Sequence, residues 1–241
     1  MTERRNEHGQ PIGPPLPGWR SPPRPPREPI AGRYCRVEPL DPERHAAELY
    51  EANSKERTDR AWTYMSAGPF ASFEAYRDWM QSACRSDDPL FHAIVDTASG
   101  RAIGVASYMR IDPKNGVIEV GNILYSPLLA RTRAATEAMY LMMKRAFELG
   151  YRRYEWKCDA LNAASRAAAQ RLGFSFEGIF RQAVVYKERS RDTAWYAVID
   201  RDWLELEKAY LQWLEAGNFD AGGAQRVALS SLTGRSLAAR G

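Results

Sequence analysis

Twice in succession the chain sets a helix between two strands, and that alternation limits its fold more than any other feature. GVIEVGNILYS (116–126) reads as a strand and leads into a helix over roughly 134–149, with Ala135, Met139, Met142, Ala146 and Leu149 on one stripe. Gly150 ends that helix, and YRRYEWKCD (151–159) reads as the next strand. NAASRAAAQRLGF (162–174) is a second helix, capped by Asn162 and stopped by Gly-Phe just before the strand FSFEGIF.

The segments upstream form a meander. LFHAIVD (90–96), RAIGVASYMRID (101–112) and the strand over 116–126 are joined by TASG and DPKNG, both compatible with tight turns. Before them come a short strand in RYCRVEPL and two helices. DPERHAAELYEANS carries Asp41 as its cap and Pro42 in its first turn. SFEAYRDWMQSACR (72–85) is capped by Ser72 and sets Phe73, Tyr76, Trp79 and Met80 on one side. VVYKERSRDTAWYAVI reads as a late hairpin turning near Arg189–Asp192. Strand–helix–strand alternation attached to a meander predicts an α+β fold, a mixed sheet with helices on both faces.

Nine of the fifteen prolines fall in residues 1–30, which therefore read as an extended arm lying on its own domain or offered to a partner. Residues 31–200 form the domain. From 201 to 241 come an amphipathic helix, with Trp203, Leu206, Tyr210 and Trp213 on one face, and a small, polar tail expected to be poorly ordered. That helix is expected to fold back on the domain, with the partner subunit of a homodimer as the second candidate cover.

Composition excludes several classes. A net charge of +4 without a dense Lys/Arg block argues against nucleic acid. No stretch approaches the roughly eighteen apolar residues of a membrane span. Three widely spaced cysteines suggest neither a disulfide framework nor a metal site. A charged start without an apolar run predicts a cytoplasmic protein.

Chemistry concentrates at two helix starts. In ARTRAATEA (130–138) a strand delivers the chain into a helix whose first amides are unpaired and suit phosphate. Arg131 and Arg133 add charge there, and Thr132 and Thr136 add hydroxyls. The helix starting near 162 follows a neighbouring strand, so a long ligand with phosphates at one end can lie where the two strands separate.

The run N-x-x-S-(seven residues)-G-F-x-x-E-G from Asn162 to Gly178, with IEVGNILYSPLLARTRAATEA (118–138), resembles the Gcn5-related N-acetyltransferases. It is most similar to their RimJ/RimL-like branch, which acetylates N-terminal amines of ribosomal proteins. The resemblance implies a twisted, mainly antiparallel sheet with splayed central strands, acetyl-CoA as donor and a primary amine as acceptor. It further implies that the backbone amides of Ala130, Arg131, Thr132, Arg133, Ala134 and Ala135 wrap the pyrophosphate, and that Leu124 and Tyr125 line the pantetheine channel. Asn162 would hold the pantetheine arm, with Ser165 near the sulfur. Arg131 and Arg133 stand where the family usually has glycine, and Ala169 where it often has a tyrosine acid.

An ammonium must lose a proton before it attacks a thioester, so a carboxylate base is needed. Glu119 is the candidate, on a face shared with Gly121 and Ile123 if no bulge intervenes; its alternative is a solvated strand glutamate. A backbone N–H near Leu124 would serve the oxyanion, and Ser165 or Tyr125 the departing thiolate. Trp62, Tyr64, His92 and Tyr186 are candidates for acceptor contact, with core packing as the alternative. The leading acceptor is a protein or peptide α-amine. A small amine (polyamine, aminoglycoside or amino-acid derivative) comes second, and a non-catalytic acyl-CoA-binding module is the rival. Polycationic acceptors require several carboxylates in the cleft.

Overall fold

A computed structural model describes residues 4–241. Its strands are β1 (Arg4–Arg5), β2 (Pro11–Ile12), β3 (Ile30–Ala31), β4 (Cys35–Pro39), β5 (Leu90–Asp96), β6 (Ala102–Asp112), β7 (Val117–Tyr125), β8 (Arg153–Asp159), β9 (Ser175–Tyr186) and β10 (Arg189–Ile199). The helices are α1 (Pro42–Asn53), α2 (Phe73–Ala83), α3 (Arg133–Glu148), α4 (Ala163–Arg171), α5 (Asp200–Leu214) and α6 (Leu229–Thr233). β3 to β10 make one eight-stranded sheet in the order β3-β4-β5-β6-β7-β8-β10-β9, antiparallel except where β7 meets β8.

Local signals account for most helix starts. The Asp41 carboxylate accepts from the Glu43 amide, the Ser72 hydroxyl from Ala75, and the Asn162 side chain from Ser165. Strand parity divides the core. Phe91, Ala93, Val95, Val105 and Leu124 face α1 and α2 with Leu49, Tyr76 and Met80. Ile94, Ile118, Val120 and Tyr154 face α3 and α5 with Met139, Met142, Leu206 and Tyr210. The α5 stripe is covered by its own domain, since Trp203 stacks on Phe147 and Tyr140 of α3 at 5.0 and 6.2 Å between ring centroids.

Two features, the hairpin turn and the tail, differ from the sequence expectation. The late hairpin turns at Lys187–Glu188, earlier than Arg189–Asp192, and both turn residues take left-handed backbone (φ 46° and 58°). That conformation usually calls for Asn-Gly, and no such signal stands here. The tail packs down: Leu229 and Thr233 are buried, the Thr233 hydroxyl donates to the Arg171 carbonyl, and the Phe176 amide donates to Ala239. Small side chains let this segment lie flat on α4 and on the start of β9. The proline-rich arm lies on the domain, with Pro22 and Pro25 buried and the Trp19 indole donating to the Lys114 carbonyl at 3.3 Å.

β7 and β8 pair only from Val117↔Arg153 to Val120↔Trp156, although both strands continue. Just past that point Asn122 takes φ 50°, and Asn122 and Ile123 together oppose Ala106 of β6. This bulge bends β7 away from β8 and opens a gap. It also corrects the assumed face. Glu119 and Gly121 point toward the α1/α2 side, whereas Ile123 passes to the α3 side.

α3 is fixed from behind. The buried Glu137 carboxylate accepts from the amides of Arg33, Tyr34 and Cys35 at 2.9, 2.6 and 2.9 Å. A Cβ at Gly32 would fall 2.5 Å from Glu137 Oε2, so this approach needs glycine. Glu137→Ala leaves three inward amides without an acceptor and is expected to cost about 3 kcal/mol, with Glu137→Gln costing less; urea unfolding measures both.

Candidate active site

The gap between β7 and β8 has the start of α3 at its mouth. From Ser126 to Thr132 the chain winds tightly: the amides of Leu129 and Ala130 donate to the Ser126 carbonyl, and Thr132 donates to Leu129. The Thr132 hydroxyl caps α3 by accepting from Ala135 at 3.1 Å. Three of the six amides assigned to phosphate, those of Ala130, Thr132 and Ala135, are therefore used internally. Those of Arg131, Arg133 and Ala134 carry no hydrogen bond among the described residues. Arg131 has φ 65°, the conformation glycine would supply, so the loop keeps its turn without glycine.

Other predicted residues are placed differently. The Thr136 hydroxyl is buried and accepts from Arg171 at 3.1 Å, so it does not face the loop's open side. The Tyr125 ring lies on the α3 side and its hydroxyl donates to the Ala135 carbonyl at 3.2 Å. It braces α3 and is not free for a leaving thiolate. Burial also raises the Tyr125 hydroxyl pKa. Leu124 is buried toward α1/α2 at the gap's edge. Asn162 caps α4 at the far side, and the Ser165 hydroxyl accepts from the Trp156 indole at 3.0 Å and lies within hydrogen-bond reach of the Cys158 thiol.

The α1/α2 side of the gap carries a line of charges. Glu119, 2% exposed, receives Arg110 on Oε1 at 2.6 Å and Lys157 on Oε2 at 2.8 Å. Lys157 also binds Glu155 at 2.6 Å and stands 3.9 Å over the Trp195 ring; Arg153 joins Glu155 to Glu177. Each oxygen of Glu119 is therefore occupied by a cation of the protein itself.

Asp159, at the end of β8, is different. Its Oδ1 accepts from the Leu161 amide and its Oδ2 from the Tyr186 hydroxyl, each at 2.9 Å, and no cation binds it among the described residues. Burial, then Asp159 itself, hold the Tyr186 hydroxyl above its ordinary pKa. Sequence reasoning missed Asp159, because only the long β9–β10 hairpin brings Tyr186 to it.

The acceptor candidates separate into two groups. Tyr64 donates to the Leu161 carbonyl at 3.3 Å, beside Asp159 and Tyr186. Lys187 and Arg189 at the hairpin tip donate to the carbonyls of Trp62 and Thr63 at 2.9 and 2.7 Å. These bonds close a ring around Asp159. Trp62, in contrast, turns its indole into the core against Phe70 and Tyr76. His92 faces away from the cleft: parity sets it with Leu90 and Ile94 on the α3 side, edge-on to Tyr108 at 5.3 Å. Among the described residues no acidic, His or Cys cluster suits a metal, and no helix is long and apolar enough to cross a membrane.

Residues 36–175 match the model of the acetyltransferase (GNAT) domain. A crystal structure of a GCN5-related N-acetyltransferase from Brucella melitensis is 47% identical, covering 91% of this chain and 100% of that one at a TM-score of 0.89. A GNAT-family acetyltransferase structure from Chromobacterium violaceum ATCC 12472 is 42% identical, covering 80% and 97% at 0.75. RimL, the ribosomal L7/L12 alpha-N-protein acetyltransferase, is 23% identical over 71% and 94% at 0.61, which shows the fold alone. No curated protein matches the sequence.

Burial lowers the His92 pKa from 6.5 to about 4. Between those values the unfolded chain binds a proton that the folded chain does not, so this site makes stability fall as pH drops through that window. Comparing urea unfolding at pH 7 and pH 5, the loss is expected to be smaller in His92→Phe than in the wild type.

Proposed function

The chain belongs to the GNAT acetyltransferases, and on that premise we propose that it acetylates the α-amine of a protein or peptide. One observation carries the reading: β7 and β8 part beyond Val120 and Trp156, with three unpaired amides at the mouth of the gap. These groups fit acetyl-CoA, whose thioester supplies the acetyl group. The amides of Arg131, Arg133 and Ala134 would hold its phosphates, and Leu124, Asn162 and the open edge of β7 would flank its pantetheine arm. Ser165, next to the splayed part of β8, would donate toward the sulfur.

Charge supports the acceptor class. Glu119, Glu155 and Glu177 on this face already have internal partners in Arg110, Lys157 and Arg153, while the rim carries Lys187, Arg189 and Arg191. A polyamine or aminoglycoside finds few spare carboxylates here, Asp159 in the cleft and the exposed Glu188 at the hairpin tip. A peptide amine needs only one, and neutral or acidic residues behind it suit the cationic rim. RimL, named for acting on the α-amine of ribosomal L7/L12, provides a precedent for such a substrate on this fold. Membership of an acetyltransferase family leaves a non-catalytic module without support.

In this reading Asp159 takes the proton of the incoming ammonium, and Tyr186 and the Leu161 amide hold its carboxylate in place. Glu119 is a positioning residue that keeps Lys157 seated over Trp195. An N–H on the free edge of β7, between Asn122 and Leu124, serves the oxyanion.

Asp159→Asn is expected to lower kcat/KM about 100-fold with acetyl-CoA affinity unchanged, and Glu119→Gln to cost roughly tenfold or less. Coenzyme A release with a panel of peptides, spermidine and an aminoglycoside measures both variants and the wild type. Turnover of the polyamine or aminoglycoside alone would reject the peptide reading. A larger loss in Glu119→Gln than in Asp159→Asn would return the base to Glu119.

A further inference from the structure

We propose that Arg133 is a pre-set anchor for the 3′-phosphate of coenzyme A, and that Phe219 of the C-terminal extension is a positioning residue that holds it; this rests on the coenzyme reading above. The Arg133 guanidinium lies between two rings, 5.0 Å from the centre of Tyr34 and 4.6 Å from that of Phe219. Among the described residues its N–H groups make neither a hydrogen bond nor an ion pair. A guanidinium stacks through its faces and binds oxyanions through its edges, so stacking leaves the phosphate-binding edge free.

Both rings are themselves held. The Tyr34 amide is bound by Glu137, and its hydroxyl donates to the Leu214 carbonyl at 3.4 Å. Phe219 packs edge-on against Trp213 at 5.0 Å, and the Trp213 indole donates to Gln225 at 2.8 Å. Residues 219 and 225 bridge, so the turn between them is closed. Arginine has many rotamers, and holding the side chain still before binding avoids losing that freedom on binding.

A pocket of about 610 Å³ adjoins the stack and shares Thr132, Arg133 and Ala134 with the loop whose amides are unpaired. Its volume suits a small ligand. Lys55 and Arg101 add positive charge on the opposite wall, although both are engaged with glutamates of α1. The Asp96 carboxylate, also in the lining, is turned onto Ser99. A ligand with its pyrophosphate on the loop therefore has room beyond it for a nucleotide, beside one arginine without an anionic partner.

Calorimetric titration of the full chain with coenzyme A and with 3′-dephospho-coenzyme A tests this. The wild type is expected to bind coenzyme A about tenfold tighter or more. In Arg133→Leu that ratio falls to within about twofold, through weaker binding of coenzyme A alone, and Arg133→Lys keeps part of it. Phe219→Leu lowers the ratio and Phe219→Tyr restores it, which general destabilisation would not do. Equal loss of both ligands in Arg133→Leu, or no wild-type preference, overturns the proposal while leaving the coenzyme reading standing. Failure of the wild type to bind either ligand overturns both.

Discussion

The parting of β7 from β8 is the constraint on which the rest of the structure depends. Four residue pairs hold together the one parallel strand contact among the described residues of the main sheet, and the bulge at Asn122 ends it. A bulge leaves backbone groups unpaired inside a fold, which is costly unless something pairs with them. α3 is held in place by Glu137 behind it and Tyr125 beneath it, so the protein's own contacts set the width of the gap. A zipped sheet would give the same composition and nearly the same core with nowhere for a substrate to lie.

Much of this was legible in the chain because it is local. Asp41, Ser72 and Asn162 cap their helices as their positions suggest, and the apolar stripes of α3 and α5 pack as their spacing requires. Long-range features were not. Lys187 and Glu188 are not turn-forming residues by type, so the hairpin tip gave no sign, and without it Asp159 looked like an ordinary strand end. Alternation sets His92 on the opposite face of its strand from Phe91 and Ala93, but nothing local tells which face is the cleft. The phosphate loop carries arginines where the family usually has glycine, yet Arg131 takes the left-handed conformation itself.

The site's electrostatics divide by depth. Near β7 and β8, Glu119, Lys157, Glu155 and Arg153 neutralise each other across adjacent strands, a network that holds these side chains in position. Further out, Asp159 accepts from neutral donors only, while the rim beside it is cationic. Removing one member of the inner network would strand its partners beneath the surface, whereas changes at the rim alter attraction from a distance.

The bonds from Lys187 and Arg189 to the carbonyls of Trp62 and Thr63 also determine the direction of approach. They turn what would have been an open trench into an eyelet, its rim made from opposite sides of the protein. A thread can enter an eyelet by its tip, but a loop with both ends tied elsewhere cannot be slid in from the side. For the acceptor proposed above, this means entry by a free end, past a rim contributed by two distant segments of the chain.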